Sequence, residues 1–326
     1  MKLLDSKHPD FETLRREILM RQGGLLSPGH CDYYQAYFEH SFEDCSFALV
    51  RGDSRMLLLV TRHWIKGRAV YSWYGRPVQL IDELMPQDRA QSEGLAIKQV
   101  QQLLIPGCEF DYQAMTSAID WLSKLLLSMG VAPSPVIEQK IPLHSNEQLL
   151  ASCRKVYRQN FRWGMQNLVC RIIDSHNVAL TDFEKFEAFH IAVAGRRTRS
   201  TASWLAQLEL TKQGENFLIL TEYEERLVGA SLFAAVGQQA YYSVGVYDRD
   251  LFHLPISHYP VWLGLLHARE LGCKVMDMGE SYYAGIPDST GRVPDEKECQ
   301  ISHFKRGFGG ELIMGLRFRF HSPLAV

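Results

Sequence analysis

The feature that most constrains this chain is an internal repeat. Residues 45–75 read CSFALVRGDSRMLLLVTRHWIKGRAVYSWYG, and residues 216–247 read NFLILTEYEERLVGASLFAAVGQQAYYSVGVY. Each holds three β-rich runs broken by short polar turns, RGDS and IKGR in the first, YEER and GQQ in the second. Runs of that kind and spacing predict antiparallel meanders. Aligned, they set Tyr71-Ser72-x-x-Gly75 beside Tyr242-Ser243-x-Gly245. Each is followed by an amphipathic helix that ends in glycine, then by a short strand. In the first copy Ile119, Leu122, Leu126 and Met129 share a face ahead of Gly130. In the second, Val261, Leu265, Leu266 and Arg269 lead to Gly272 and the strand KVMDMG. The order helix, meander, helix, strand predicts two copies of one α/β fold. The alternative is that two meanders resemble each other by chance.

A chain of 326 residues has room for two units, since one hydrophobic core seldom grows that large. The turn-rich stretch SPVIEQKIPLHSNE sets the boundary, giving 1–144 and 145–326. The 46% apolar and 22% charged composition is that of a globular enzyme or binding protein, and a net charge of -2 argues against DNA as a partner. The opening MKLLDSKHPDFETLRREIL carries acidic residues early and lacks the apolar core of a secretory signal. No run approaches the roughly 20 apolar residues of a membrane span. The seven cysteines are scattered with no metal-ligand spacing. The expectation is a cytoplasmic protein with reduced thiols and no metal.

Five constellations carry possible chemistry. Residues 145–167 predict one helix, on which Arg154, Arg158 and Arg162 form an i, i+4, i+8 row. Like charges so placed repel by a few tenths of a kcal/mol. A row of guanidinium groups suits phosphates; the other reading is a solvated face. The segment TDFEKFEAFHIAVAG predicts a helix with a capping box from Thr181 to Glu184, carrying His190 and followed by the cluster GRRTRS with Arg197. That cluster either contacts an anion or complements the helix dipole. In YYSVGVYD, Tyr241 and Tyr242 are core or rim residues, or donors to a developing oxyanion. In MDMGESYY, the strand-end carboxylates Asp277 and Glu280 are structural, or a general base toward an amine. Last, SHFKRGFGGEL places His303, Lys305 and Arg306 at a helix end closed by Gly307, with Gly309-Gly310 turning into the strand ELIMGLRFRF. There Lys305 and Arg306 also complement the helix dipole.

The second half resembles a known family. SCRKVYRQNFRWGMQNL is similar to the basic helix that opens the second GNAT-like domain of FemAB-type peptidyltransferases. ENFLILTEYEERLVGASLFAAVGQQAYYSVGVY is similar to their meander. LPISHYPVWLGLLHARELGCKVMDMGE resembles their proline, Trp-bearing helix and Asp-x-Gly strand, here with Trp262, and HFKRGFGGE resembles their closing FK-x-x-FG motif. The ordered set spans roughly residues 150–315. The resemblance implies tandem GNAT-like domains, α/β with mainly antiparallel sheets flanked by helices, and transfer of an acyl or aminoacyl group to an amine. Lys305 matches the family's cleft lysine, and Arg158 and Arg162 match positions near substrate phosphate. The expected catalytic set is Lys305, Asp277, Glu280 and Tyr242. The expected substrate contacts are Arg154, Arg158, Arg162, His190, Arg197, Tyr241, Trp262 and His303. No bound cofactor is implied. The co-substrate is an acyl donor, whether acyl-CoA, acyl carrier protein or aminoacyl-tRNA, and the acceptor is a small, lipid-linked or sugar-linked amine.

Two departures bear on the donor. The [RQ]xxGx[GA] pyrophosphate loop of ordinary GNAT acetyltransferases is missing after the second meander, and no segment answers to the helical hairpin some FemAB members use toward transfer RNA. BioF2-like and CelD-like relatives, which serve polysaccharide or lipid pathways, also lack that hairpin. The rival reading is a non-catalytic GNAT-fold module that binds an anionic or phosphorylated metabolite.

Overall fold

The structure is a computed structural model that describes residues 1–22, 27–115 and 118–322. The strands of both expected meanders form where the sequence places them, but only the second half keeps one continuous meander. In the second, strands Asn216–Tyr223, Arg226–Val236 and Gln239–Tyr247 pair antiparallel in sequence order. The first turn, Glu224-Glu225, has positive φ at both positions (49° and 61°), the conformation that matches the twist of a two-residue hairpin. In the first half, Phe47–Arg51 pairs with Ser54–Leu59 and Thr61–Ile65 pairs with Arg68–Ser72, so the expected meander is two antiparallel hairpins in separate sheets. Its middle run breaks at Val60, so Ser54–Leu59 joins a four-stranded sheet while Thr61–Ile65 joins the main one.

The main sheet runs through both halves with eleven strands among the described residues. At its centre the halves exchange their last strands. Ser134–Pro142, from the first half, pairs with Val275–Glu280 of the second. Glu311–His321, the last strand of the second half, pairs with Glu109–Ala114 of the first. The two exchanged strands pair with each other, Met314 opposite Ile137. Helices cover the sheet as the apolar periodicity dictates. Helix His258–Glu270 buries Val261, Trp262 and Leu265 in one core with Phe217, Phe233, Met276 and Phe308. Helices Leu180–Ala194 and Thr201–Lys212 bury Phe183, Phe186, Trp204 and Leu208 in another. The protein is therefore α/β with mainly antiparallel sheets.

Three local expectations are corrected. The stretch 145–167 is two helices, Asn146–Ser152 and Lys155–Asn167, separated by extended Cys153 (ψ 148°) and Arg154 (ψ 142°). Tertiary contacts cause the break: Arg154 N donates to Gly307 O at 3.0 Å, and Cys153 Sγ donates to Phe308 O at 3.4 Å. Arg154 thus leaves the helical row of Arg158 and Arg162. The helix that carries His190 starts at Leu180, and Asp182, not Glu184, returns a carboxylate to the Ala179 amide at 3.0 Å. The earlier amphipathic helix spans Trp121–Ser128, with Leu122 and Leu126 buried but Ile119 and Met129 exposed.

Candidate functional site

Strands Gln239–Tyr247 and Val275–Glu280 are parallel neighbours over three pairs only, the last being Tyr241 with Asp277. Beyond that pair they part. Ser243 is an extra residue against Leu232 and Phe233, and Met278 is skipped in the ladder with Ser134–Pro142. An added residue bends a strand and redirects its side chains. Gly279 follows with φ +79°, its amide donating to Asp277 Oδ1 at 2.6 Å.

Lys305 reaches into this gap from helix Glu296–Arg306. A capping box between Asp295 and Glu298 starts the helix. Gln139, on the exchanged strand, anchors its end by donating to Lys305 O at 2.9 Å and Gly309 O at 2.6 Å. Lys305 Nζ donates to the skipped Met278 carbonyl at 2.6 Å. Burial lowers the ammonium's pKa, against an upward pull from Asp277. Gly279 lacks the side chain that would fill the space here. A Cβ on it would lie 3.4 Å from Tyr241 Oη and 3.7 Å from Lys305 Nζ. Two hydrogen-bond donors thus converge beside a bare backbone.

A cavity lies on each side. The smaller, about 480 Å³, lies between the halves and is lined by Arg76, Glu138, Lys140, Tyr241, Asp277, Glu280 and Arg317. Lys140 Nζ bridges Glu138 Oε2 at 2.7 Å and Asp277 Oδ2 at 2.5 Å. Burial raises the pKa of Glu280, whose carboxylate accepts from Tyr282 Oη at 3.0 Å. Burial also raises the Tyr241 phenol, with Arg76 pulling it down. The larger cavity, about 630 Å³, is lined by apolar Val193, Val246, Phe252, Leu254 and Ile301 and by the cations Arg249, Lys297 and Lys305, without a carboxylate. His190, Tyr242 and His258 also line it. Burial pushes His258 down to about 4 and Tyr242 up to about 12, so both are neutral near pH 7. Burial and the nearby Arg199 lower His190.

The structure therefore gathers Lys305, Asp277, Glu280 and Tyr241 at the smaller cavity or its junction, and Tyr242 and His190 at the larger. The other expected contacts stand away from both. Arg154 Nη1 lies 2.7 Å from His303 Nε2. Arg158 Nη2 donates to the Ala151 carbonyl at 2.9 Å, closing the preceding helix. Arg162 is exposed. Arg197 pairs with Glu187 at 2.8 Å, and Trp262 stacks on Phe161 at 4.9 Å in the core. Arg306 donates to Ser281 Oγ at 2.8 Å and covers the Tyr283 ring at 4.4 Å. Its contacts hold the loop after Glu280, beyond the helix dipole. Sequence reasoning missed Arg76, Glu138, Lys140, Arg317 and His258. Glu138 and Lys140 were findable, because i, i+2 on a strand share a face.

No helix among the described residues is long and apolar enough to cross a membrane. Among them no group of three or more His, Cys, Asp and Glu could hold a metal ion.

Two α/β halves that share one sheet through exchanged strands, with parallel strands parting at the site in the second, make up the tandem GNAT fold. The chain matches the crystal structure of FemX over 97% of both chains, with a TM-score of 0.69 at 10% identity. It is also similar to L-PGS from Bacillus licheniformis (TM-score 0.57, 11% identity, 98% and 93% covered). A tandem GNAT protein from the clavulanic acid biosynthesis pathway has a TM-score of 0.52 at 9% identity, with 100% and 99% covered. No family model matches the sequence, and no curated protein matches it. The likeness is one of fold: the chain has a tandem GNAT architecture similar to that of FemX.

Proposed function

We propose that the protein is an N-acyltransferase, moving an acyl or aminoacyl group from an ester or thioester donor in the larger cavity to an amine in the smaller. The observation that carries this is the convergence of Lys305 Nζ and Tyr241 Oη on bare Gly279, where the two cavities approach each other. The repeat units are 1–144 and 145–326, each lending its last strand to the other.

In the reaction the amine nitrogen attacks the donor carbonyl carbon and a C–N bond forms. The carbonyl π electrons move to oxygen, and the ammonium and phenol hydrogens donate to that oxyanion. The oxyanion then collapses: C=O re-forms, the C–O or C–S bond breaks, and the leaving oxygen or sulfur takes up the proton that Glu280 removed from the amine. Glu280 takes the proton the amine sheds, since burial makes its carboxylate a stronger base than an exposed one. Asp277 has no free oxygen for this task, because Lys140 and the Gly279 amide hold both. It orients the groups around the reacting centre. The larger cavity's cations and apolar wall suit an acyl chain beside phosphate, which supports acyl-CoA, acyl carrier protein or aminoacyl-tRNA as donor. We place the reaction in cell-wall, polysaccharide or lipid biosynthesis, on the resemblance to FemAB-type enzymes.

The test is a panel of donors and primary amines incubated with the purified protein, read by mass spectrometry for amide product. Product that disappears in Lys305→Ala supports the assignment. Donor binding without product across the amine panel favours the binding module instead.

A further inference from the structure

The geometry points to a zwitterionic acceptor for the smaller cavity: a primary amine that also carries a carboxylate, its carboxylate held by Arg76 and its amine by Glu280. The inference builds on the transfer reading by naming the acceptor's class, and its test is a binding measurement that stands apart from turnover.

Six charged side chains line the cavity, Arg76, Lys140 and Arg317 against Glu138, Asp277 and Glu280. Four have partners. Lys140 answers Glu138 and Asp277, and Arg317 grips Asp111 through two nitrogens, at 2.8 and 2.6 Å. Among the described residues, Arg76 and Glu280 form no ion pair, with each other or with any third group. Both are half-buried, and opposite charges act on them only from beyond ion-pair distance, Asp277 on Arg76 and Arg317 on Glu280. Two such groups of opposite sign in one cavity fit a ligand that brings both complements.

Arg76 is held ready for such a role. Its guanidinium sits over the Tyr34 ring at 5.4 Å and the Tyr241 ring at 5.8 Å. Its one hydrogen bond among the described residues runs from Nη1 to Tyr34 Oη at 3.0 Å. The rings position the group, and its remaining N–H edge suits a two-oxygen acceptor. The turn that presents it is tight. Trp73 and Arg76 exchange backbone hydrogen bonds at 2.7 and 3.0 Å, Tyr74 has φ +49°, and a Cβ on Gly75 would fall 2.5 Å from the Phe38 ring. Strain of this sort persists where surrounding contacts fix the conformation.

At the opposite charge, Glu280 follows Gly279 directly. An amine bound at Glu280 is delivered beside the oxyanion donors, while Arg76 fixes the far end of the same molecule. Three cations and three carboxylates make a wall of zero net charge. That wall matches a neutral zwitterion better than an amine bearing a phosphate dianion.

The test is isothermal titration calorimetry on the full chain. Its probes are 4-aminobutyrate, 6-aminohexanoate and glycylglycine, against hexylamine, hexanoate and phosphoethanolamine. At least one aminocarboxylate binds about tenfold or more tighter than hexylamine and hexanoate. Arg76→Gln weakens that probe about 10- to 100-fold, the scale of a charge-assisted pair, and leaves hexylamine unchanged. Aminocarboxylates binding no better than hexylamine to the unaltered protein would overturn the proposal, whatever the variant does to the turn. Phosphoethanolamine outbinding every aminocarboxylate would overturn the carboxylate. Tight zwitterion binding with no amide product from any donor retires the transfer reading and leaves this site standing. Equal kcat/KM for hexylamine and the aminocarboxylates retires this site and leaves transfer standing.

Discussion

Gly279→Ala separates the proposed chemistry from the stability of the fold. Gly279 has φ +79°, where an alanine is strained by roughly 1–2 kcal/mol. The gain from a stiffer unfolded chain offsets about 0.4–1 kcal/mol of that. The added Cβ meets nothing closer than Tyr241 Oη at 3.4 Å and Lys305 Nζ at 3.7 Å, which is ordinary contact, so no steric term adds to the strain. The variant therefore folds, with Tm lower by a few degrees at most. The methyl group nevertheless occupies the space between the two oxyanion donors. Displacing a reacting carbonyl by about 1 Å costs on the order of 100-fold in rate, about 2.7 kcal/mol of transition-state stabilisation. Gly130→Ala is the control, because Gly130 has φ +81° and open space around it. It carries the same backbone strain far from the site. The assay compares kcat/KM and Tm for both variants with the donor and acceptor identified by the mass-spectrometric screen. The expected result is matched Tm losses with activity down about 100-fold in Gly279→Ala alone. Activities that stay within threefold of each other would refute the convergence of Tyr241 and Lys305 as the reacting centre.

Lys305→Ala should lower kcat/KM about 100- to 1000-fold, the usual worth of an oxyanion donor; an unchanged value in a folded variant removes Lys305 from the mechanism. The pH profile of kcat/KM should be a bell narrowed from both sides. Burial lifts Glu280 above its ordinary 4.5, so the base form appears only at higher pH. Burial drops Lys305 below its ordinary 10.5, so the protonated donor is lost earlier on the alkaline side. Limbs at the ordinary values would contradict these roles. For stability, a raised Glu280 pKa favours the fold below 4.5 and the gain is lost as pH rises through the folded value. Glu280→Gln should therefore raise Tm at pH 7 and not at pH 4; equal shifts at both would contradict the burial effect. Arg158→Ala should cost about 1 kcal/mol by freeing the Ala151 carbonyl and leave donor KM unchanged. A tenfold rise in KM would restore that arginine to the phosphate.

The strands of both repeats, the second meander and the closing helix were legible because their signals are local. Alternating apolar runs, short polar turns and the glycines after Arg306 each act within a few residues. The break at Cys153-Arg154 was not legible, since no proline or glycine marks it and helix propensity runs through it. It is imposed from about 150 residues away by carbonyls of Gly307 and Phe308. Lys305 could be singled out from its motif, whereas the partner that fixes it, the Met278 carbonyl, depends on a skipped ladder position. Arg76 was invisible for the same reason. Its neighbours Tyr34 and Tyr241 lie far away in sequence, and an arginine in a turn ordinarily means solvent.

The two copies have diverged at the point where their parallel strands part. In the first half, Arg68–Ser72 and Glu109–Ala114 pair at Val70 and Tyr71, as Gln239–Tyr247 and Val275–Glu280 pair through Tyr241. There the gap is then closed. The chain loops out over residues 73–77 and returns at Val78, which bridges to Tyr112 and donates to the Asp111 carbonyl at 2.8 Å. Buried Tyr71 and Phe110 pack against each other beside the closure, their ring centroids 6.3 Å apart. In the second half the gap stays open to the larger cavity, and a lysine side chain, not a backbone return, satisfies the exposed carbonyl. The same detour that seals the first gap carries Arg76 into the cavity between the halves. On the proposed reading, one copy supplies an open cleft with its hydrogen-bond donors and the other closes its own cleft and supplies the anchor, so that each half alone would lack part of the site.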